Sequence, residues 1–178
     1  MDAAGFKDPD GDGPLPRFKL TYKTSSLKER IEIAQLIAEQ LSAVGVELDV
    51  RPYEFGTLFR DVRQGNFDVY TLTWSGITDP DIYYSICHSK MMPPNGANRG
   101  HYVSAQMDKL LEKSRVTLDR NEQKKIYDEI QEIALNDLVY IPLWYENNYV
   151  FANPRLKGYT PMANSSFTNL VNAYKANE

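Results

Sequence analysis

Residues 17–52, RFKLTYKTSSLKERIEIAQLIAEQLSAVGVELDVRP, carry the pattern that decides the fold. Phe18, Leu20 and Tyr22 alternate with polar residues, which predicts a strand over roughly 17–24. Ser26 and Glu29 have the spacing of a capping box. Leu27, Ile31, Ala34, Ile37, Leu41 and Val44 then recur at helical spacing, and Gly45 ends the run. Val46, Leu48 and Val50 alternate again as a second strand, closed by Pro52. A strand, a helix and a strand joined by short connections predict a right-handed crossover with parallel strands.

The pattern continues outward. Phe55, Leu58, Phe59 and Val62 share one face of a short helix over 54–63, broken by Gly65. Phe67 to Trp74 is rich in β-branched and aromatic residues and reads as a third strand. The order β-α-β-α-β predicts an open α/β sheet, in which ligands sit beyond the carboxyl ends of the strands. Trp74-Ser75-Gly76-Ile77-Thr78-Asp79-Pro80 occupies that place, so Trp74, Ser75, Gly76, Ile77, Thr78 and Asp79 are candidate ligand-binding residues.

Beyond the loop, Ile82, Tyr83, Tyr84 and Ile86 mark a short aromatic helix, followed by an irregular stretch with Pro93, Pro94, Gly96 and Gly100. Ser104 is placed to cap a helix carrying Met107, Leu110 and Leu111. Asp119 with Glu122 is placed to cap the next, whose Ile126, Ile130, Ile133 and Ala134 face a core. The Lys, Glu and Arg residues on their other sides read as solvated faces. Ile141 to Tyr145 and Tyr149 to Phe151 read as a last strand or strand pair, and the tail from Lys157 shows turn chemistry with weak periodicity.

Composition bounds the function. The chain has 178 residues, 42% hydrophobic and 25% charged, with a net charge of −4. This is ordinary globular composition. The acidic balance and scattered cations argue against a nucleic-acid partner, which needs a clustered basic surface. Cys87 is the single cysteine, which excludes an intrachain disulfide and leaves the compartment open. No apolar run approaches a membrane span, and no signal peptide opens the sequence. Ala3-Ala4-Gly5-Phe6 looks like a helix end with a glycine cap. The expectation is therefore a piece of a longer chain.

The motifs of common enzymes are missing. There is no nucleophile elbow, phosphate loop, dinucleotide fingerprint or zinc pattern. The first turn of the crossover, Thr24-Ser25-Ser26-Leu27, has no glycine to let a phosphate approach the backbone. Neither His88 nor His101 stands beside a nucleophile in evident register. Asp79 and Asp81 are readable as paired carboxylates, but a turn or helix cap is the plainer reading. Asp8, Asp10, Asp12 and Gly13 match the opening of a calcium loop, yet its twelfth position is Lys19, so an Asx-rich turn is expected over 7–16. Cys87, His88, Met91, Met92 and His101 include soft ligands for copper or nickel. The alternative puts Cys87 in a core, His88 on the surface and the methionines over an apolar rim. No cofactor is expected.

Taken in order, several segments resemble the C-terminal lobe of the family 5 extracellular solute-binding proteins, the peptide and nickel receptors of ABC importers. They are Ala3-Ala4-Gly5-Phe6, Ala43-Val44-Gly45-Val46-Glu47-Leu48, and Gly65-Asn66-Phe67-Asp68-Val69 leading to Trp74-Ser75-Gly76 and Asp79-Pro80. Asn98 to Tyr102, Met107-Asp108-Lys109-Leu110-Leu111, Arg120, Tyr127, Ile130 and Ile141-Pro142-Leu143 follow. The resemblance implies an α/β fold: a periplasmic-binding-protein-like lobe with a mixed, mostly parallel sheet flanked by helices. Residues 1–178 would form a single ligand-binding lobe that closes with an N-terminal lobe of the same protein over a peptide or other small solute. It implies ABC transporter permease subunits as partners and a periplasmic or extracytoplasmic location, with lipid anchoring through a preceding segment as one form. Tyr102 and Tyr145 are further candidates for the ligand pocket, or ordinary packing residues. In peptide-binding relatives the third residue after the tryptophan is an Asp that pairs with the ligand's α-ammonium. Here it is Ile77, which leaves open a ligand without a free amino terminus, a metal complex or an oligosaccharide. A free-standing flavodoxin-like cytoplasmic module and a sensory domain are the competing readings.

Overall fold

In the computed structural model, which describes residues 1–11 and 13–176, the chain divides into two compact units, Met1–Leu72 and Thr73–Glu178. The first unit holds β1 (Phe18–Ser25), α1 (Lys28–Ser42), β2 (Val46–Tyr53), α2 (Phe55–Gln64) and β3 (Val69–Tyr70). Its sheet has the order β2-β1-β3, with both pairs parallel, as the crossover pattern predicts. β1 and β2 pair without interruption from Phe18↔Val46 to Ser25↔Tyr53.

Alternation decides what each face meets. Phe18, Leu20 and Tyr22 of β1 and Val46, Leu48 and Val50 of β2 pack with Ala34, Ile37, Ala38 and Leu41 of α1. The opposite face sends Lys23 to Asp61 of α2, with 2.7 Å between Nζ and Oδ2 and both side chains largely buried. A paired charge at such a site is tolerated, whereas either partner alone would be costly. Glu54 caps α2 by accepting a 2.8 Å bond from the Gly56 amide, and Gly65 ends it in the left-handed region.

Three expectations need correction here. The capping box at Ser26 and Glu29 is not formed. Leu27 is the N-cap, and the Ser26 amide donates to the Tyr53 carbonyl at 2.8 Å, extending the β1–β2 ladder instead. Pro52 does not close β2 but lies within it. β2 is an edge strand, where a missing amide donor is tolerated. The third strand is two residues rather than the eight of 67–74. The Asp68 carboxylate accepts the Thr21 amide at 2.7 Å, taking the place of a backbone partner. After Tyr70, Thr71 bonds through its hydroxyl to the Tyr22 hydroxyl at 3.1 Å, not through the ladder.

Before β1, Gly5 at φ 88 caps a short 3-10 turn over Asp2–Ala4, in keeping with its reading as a cap. Asp8 makes an Asx turn by accepting the Asp10 amide and also pairs with Arg17, while Asp10 accepts the Leu15 amide across the loop. Asp12, the third carboxylate of the calcium-like spacing, lies outside the described residues.

The second unit is built on helices: α3 (Ile82–Cys87), α4 (Ala105–Val116) and α5 (Arg120–Asn136). Ser104 Oγ accepts the Met107 amide and Asp119 Oδ1 accepts the Glu122 amide, so both predicted caps form. Ile86, Cys87, Ala97, Met107, Leu111, Ile126, Tyr127 and Ile130 make its buried core. The strand or strand pair expected over 141–151 is absent. Those residues are irregular and exposed, and among the described residues no strand pairs with them. β-Rich composition reports fitness for a sheet, and it becomes a strand only where a neighbour supplies the ladder. The tail instead pairs β4 (Leu156–Lys157) with β5 (Tyr174–Lys175), antiparallel, a pairing too short to leave a periodic signal. Among the described residues no helix is long and apolar enough to cross a membrane.

Gly45 turns the chain from α1 into β2 at φ 81, and a Cβ there would lie 2.9 Å from Cγ of Arg17. Gly45→Ala is expected to destabilise the chain by about 1–3 kcal/mol through left-handed strain. Denaturant unfolding monitored by circular dichroism measures it, and an unchanged midpoint would contradict this account.

Candidate functional site

The loop follows β3 and is irregular and exposed from Thr73 to Pro80. Gly76 adopts φ 71, a conformation in which a side chain would be strained. Trp74 is 38% exposed, with the Arg99 guanidinium 5.2 Å from its ring centroid, so it is not a buried strand-end aromatic. Ile77 stands 42% exposed on the same loop.

The carboxylates at the loop's far end are committed to structure. Asp79 Oδ1 accepts the Asp81 amide at 2.8 Å, forming an Asx turn across Pro80. Asp81 takes a two-pronged bond from Arg115, with Nε at 2.8 Å and Nη2 at 2.9 Å. Asp79 and Asp81 are therefore not a carboxylate pair facing a common proton. The Arg115 guanidinium also lies 3.8 Å from the Tyr84 ring centroid, and Tyr84 in turn packs on the His88 ring at 4.5 Å. Arg115 stays 46% exposed on the helix face read as solvated, and it pairs with Asp81 from there.

Tyr102 and Tyr145 occupy different settings. Tyr102 is half-buried against the helical core, its amide donating to Asn98 Oδ1 at 2.9 Å and its hydroxyl to Asp137. Burial pushes its phenol pKa up, and the Asp137 carboxylate beside it adds to the shift. Tyr145 is fully exposed within the irregular run that follows α5. Two surface depressions lie along α4 and α5, one with Pro80 and Tyr83 on its rim, and neither is lined by Trp74–Asp79, Tyr102 or Tyr145. The structure thus gathers Trp74 to Asp79 by chain continuity, and neither depression joins them to the two tyrosines.

Sequence reasoning missed Asn98, Arg99 and Arg115. Asn98 is buried, its Nδ2 donating to the carbonyls of Tyr102 at 2.7 Å and His88 at 3.2 Å. Its amide organises the irregular segment that carries Arg99. No local pattern marks an asparagine as buried; only its place in the ordered family resemblance singled out the segment.

The soft-ligand cluster is also put to other use. His88 is buried rather than on the surface. Its Nδ1 lies 3.1 Å from the Lys90 amide, and its Nε2 lies 3.3 Å from Glu112 Oε1. Lys90 and then His88 hold the Glu112 carboxyl below the usual range. Cys87 is fully buried, as its core reading has it, and burial pushes its thiol pKa up to about 12. Met91 packs over Gly96, where a Cβ would lie 2.6 Å from Cβ of Met91.

With the geometry in hand, comparison with known proteins is decisive at the level of family. The model of the bacterial extracellular solute-binding proteins, family 5 Middle, matches residues 1–91, just over half of the 178. The chain belongs to this family. Among curated relatives, this family 5 chain is similar to the oligopeptide-binding protein AppA of Bacillus subtilis, 34% identical over 163 residues, covering 88% of the chain and 30% of that protein. The structure of B. subtilis AppA in complex with a nonapeptide superposes with a TM-score of 0.83 at 30% identity, over 96% of this chain and 35% of that one. DppA from Helicobacter pylori in complex with peptide STSA gives a TM-score of 0.75 at 26% identity, over 89% and 31% of the two chains. The chain therefore spans about a third of the length of such relatives.

Two measurements check the electrostatics of the helical core. The Cys87 thiol is expected to resist a neutral thiol reagent at pH 8 in the native chain and to react on unfolding. Rapid native-state labelling would contradict its burial. The Glu112 carboxyl has its folded pKa lowered, so its contribution is present above its unfolded pKa and is lost as pH falls through the folded value. Glu112→Gln should accordingly flatten the decline in melting temperature below about pH 4.5. An unaltered acid limb in the variant would count against the Lys90–His88–Glu112 linkage.

Proposed function

We propose that residues 1–178 contribute one ligand-binding lobe to the substrate-binding component of an ABC importer, which holds a peptide or peptide-like solute between this lobe and an N-terminal lobe of the same protein. Kinship with a family whose relatives include oligopeptide-binding AppA carries this reading. The work is binding, not bond-making. Aromatic walls and a few polar groups hold the solute, and lobe closure buries it before delivery to permease subunits. Such a receptor works outside the cytoplasmic membrane, in a periplasm or at the cell surface, where a lipid anchor ahead of this segment would tether it.

Within the lobe, Trp74, Ser75, Gly76, Ile77, Thr78 and Asp79 are the proposed solute-facing residues. Their exposure supports this role, and so does the glycine turn at Gly76. Tyr102 is better read as packing, and Tyr145 as part of a surface that the rest of the receptor covers. Ile141, Leu143, Trp144, Tyr145, Tyr149, Val150 and Phe151 are all exposed, an apolar run suited to burial against the missing lobe.

Ile77 favours a second feature of the reading. An apolar side chain at the loop's apex offers no counter-ion to a peptide's α-ammonium, so the solute is held without its amino terminus as anchor. Free and N-acetylated forms of one captured peptide are therefore expected to bind within about threefold of each other, and Ile77→Asp to favour the free form by about tenfold. Native mass spectrometry of the full-length receptor, purified without refolding, identifies the solute, and calorimetry then compares the two forms. Recovery of a nucleotide or flavin would sink the receptor reading. A strong preference for the free amino terminus would sink the Ile77 argument alone. Residues 1–178 by themselves should bind the same peptide more weakly than micromolar, because one wall of the site is absent.

A further inference from the structure

We propose that Arg115 is the positioning residue of the solute-facing loop, fixing its C-terminal end through Asp81 so that Gly76, Ile77 and Thr78 meet the solute from a fixed frame. The inference rests on the reading that Trp74–Asp79 contact solute. Arg115 stands in the last turn of α4 and reaches across to both carboxylate oxygens of Asp81, at 2.8 and 2.9 Å. Its guanidinium is at the same time stacked 3.8 Å from the Tyr84 ring centroid. A planar fork satisfies both demands at once, and an ammonium does not. The restraint then passes toward the loop. Asp81 donates its amide to Asp79 Oδ1 at 2.8 Å, and Pro80 between them has a fixed φ. The other end is held by Trp74 lying against Arg99, 5.2 Å from ring centroid to guanidinium carbon. Between these two posts Ser75, Gly76 and Ile77 are exposed.

The side chains of Arg115 and Asp81 are 46% and 43% exposed, so their pair adds little to global stability. Its effect is local order: a loop pinned in advance loses less conformational freedom on binding. That separation of local order from overall stability gives the test its discriminating readout.

The test uses Arg115→Lys, Arg115→Gln, Asp81→Asn and the double variant Arg115→Gln/Asp81→Asn, with Trp74→Ala as a control for the loop's role. Amide hydrogen exchange is followed across residues 74–81, and retention of a random nonapeptide pool by the full-length receptor is read by native mass spectrometry. Arg115→Gln and Arg115→Lys are both expected to speed exchange at 76–79 and to weaken retention by about tenfold, with melting temperatures within about 2 °C of the parent. The double variant should be no worse than the weaker single, since both remove one coupled pair. Parental exchange at 76–79 in Arg115→Gln would overturn the proposal, as would parental behaviour of Arg115→Lys. Should Arg115→Gln fail to fold, Arg115→Lys and Asp81→Asn decide by the same criteria. Unchanged retention in Trp74→Ala would instead refute the solute-facing reading of the loop. Retention lost in Trp74→Ala but kept in Arg115→Gln would refute the clamp alone.

Discussion

A single left-handed residue governs how the first unit assembles. Gly45 must reverse the chain from α1 into β2 at positive φ, a conformation glycine adopts without strain. Its carbonyl accepts the Arg17 amide at 2.7 Å, one residue before the first rung, Phe18↔Val46. That bond sets the register of the parallel ladder, and a slip of one residue would turn every apolar side chain to the wrong face. β1 then serves as the central strand. Tyr22 and Lys23 recruit Val69 and Tyr70 on one side, while the even positions bury against α1. The odd face is closed by an ion pair, Lys23 with Asp61, whose cost of desolvation is met by direct contact.

The second unit has a different logic. A helical core centred on Met107, Leu111, Ile126 and Ile130 gives rigid elements from which long side chains reach outward. Arg115 projects from α4, and Arg99 from a segment organised by the buried amide of Asn98. Both cations meet the candidate loop near its ends and leave its middle exposed. Binding loops commonly combine fixed supports with a short adaptable apex, because pre-organisation lowers the entropy lost on association.

Chemistry-bearing residue types elsewhere are absorbed by structure. Cys87 is a buried thiol, and His88 caps a 3-10 turn while touching Glu112. Asp79 and Asp81 build a turn and a clamp. The apolar residues at 141–145 and 149–151 are exposed and join no strand among the described residues.

By itself the sequence determined the crossover, the two helix caps at Ser104 and Asp119, and the two apolar faces, because periodicity and capping are local properties of the chain. It also determined the family, through an ordered series of short segments rather than any one motif, and it marked Trp74–Pro80 as the element to watch. Only the tertiary structure decided where those patterns stop. β3 ends at Tyr70 because side chains of Asp68 and Thr71 take over its bonds to β1. Residues 141–151 join no strand ladder among the described residues, because a strand needs a neighbour that the sequence of that segment does not contain. The posts of the loop, Arg99 and Arg115, were hidden for the same reason. Each lies 25 and 34 residues from its partner, Trp74 and Asp81, and a contact at that separation leaves no local periodicity to read.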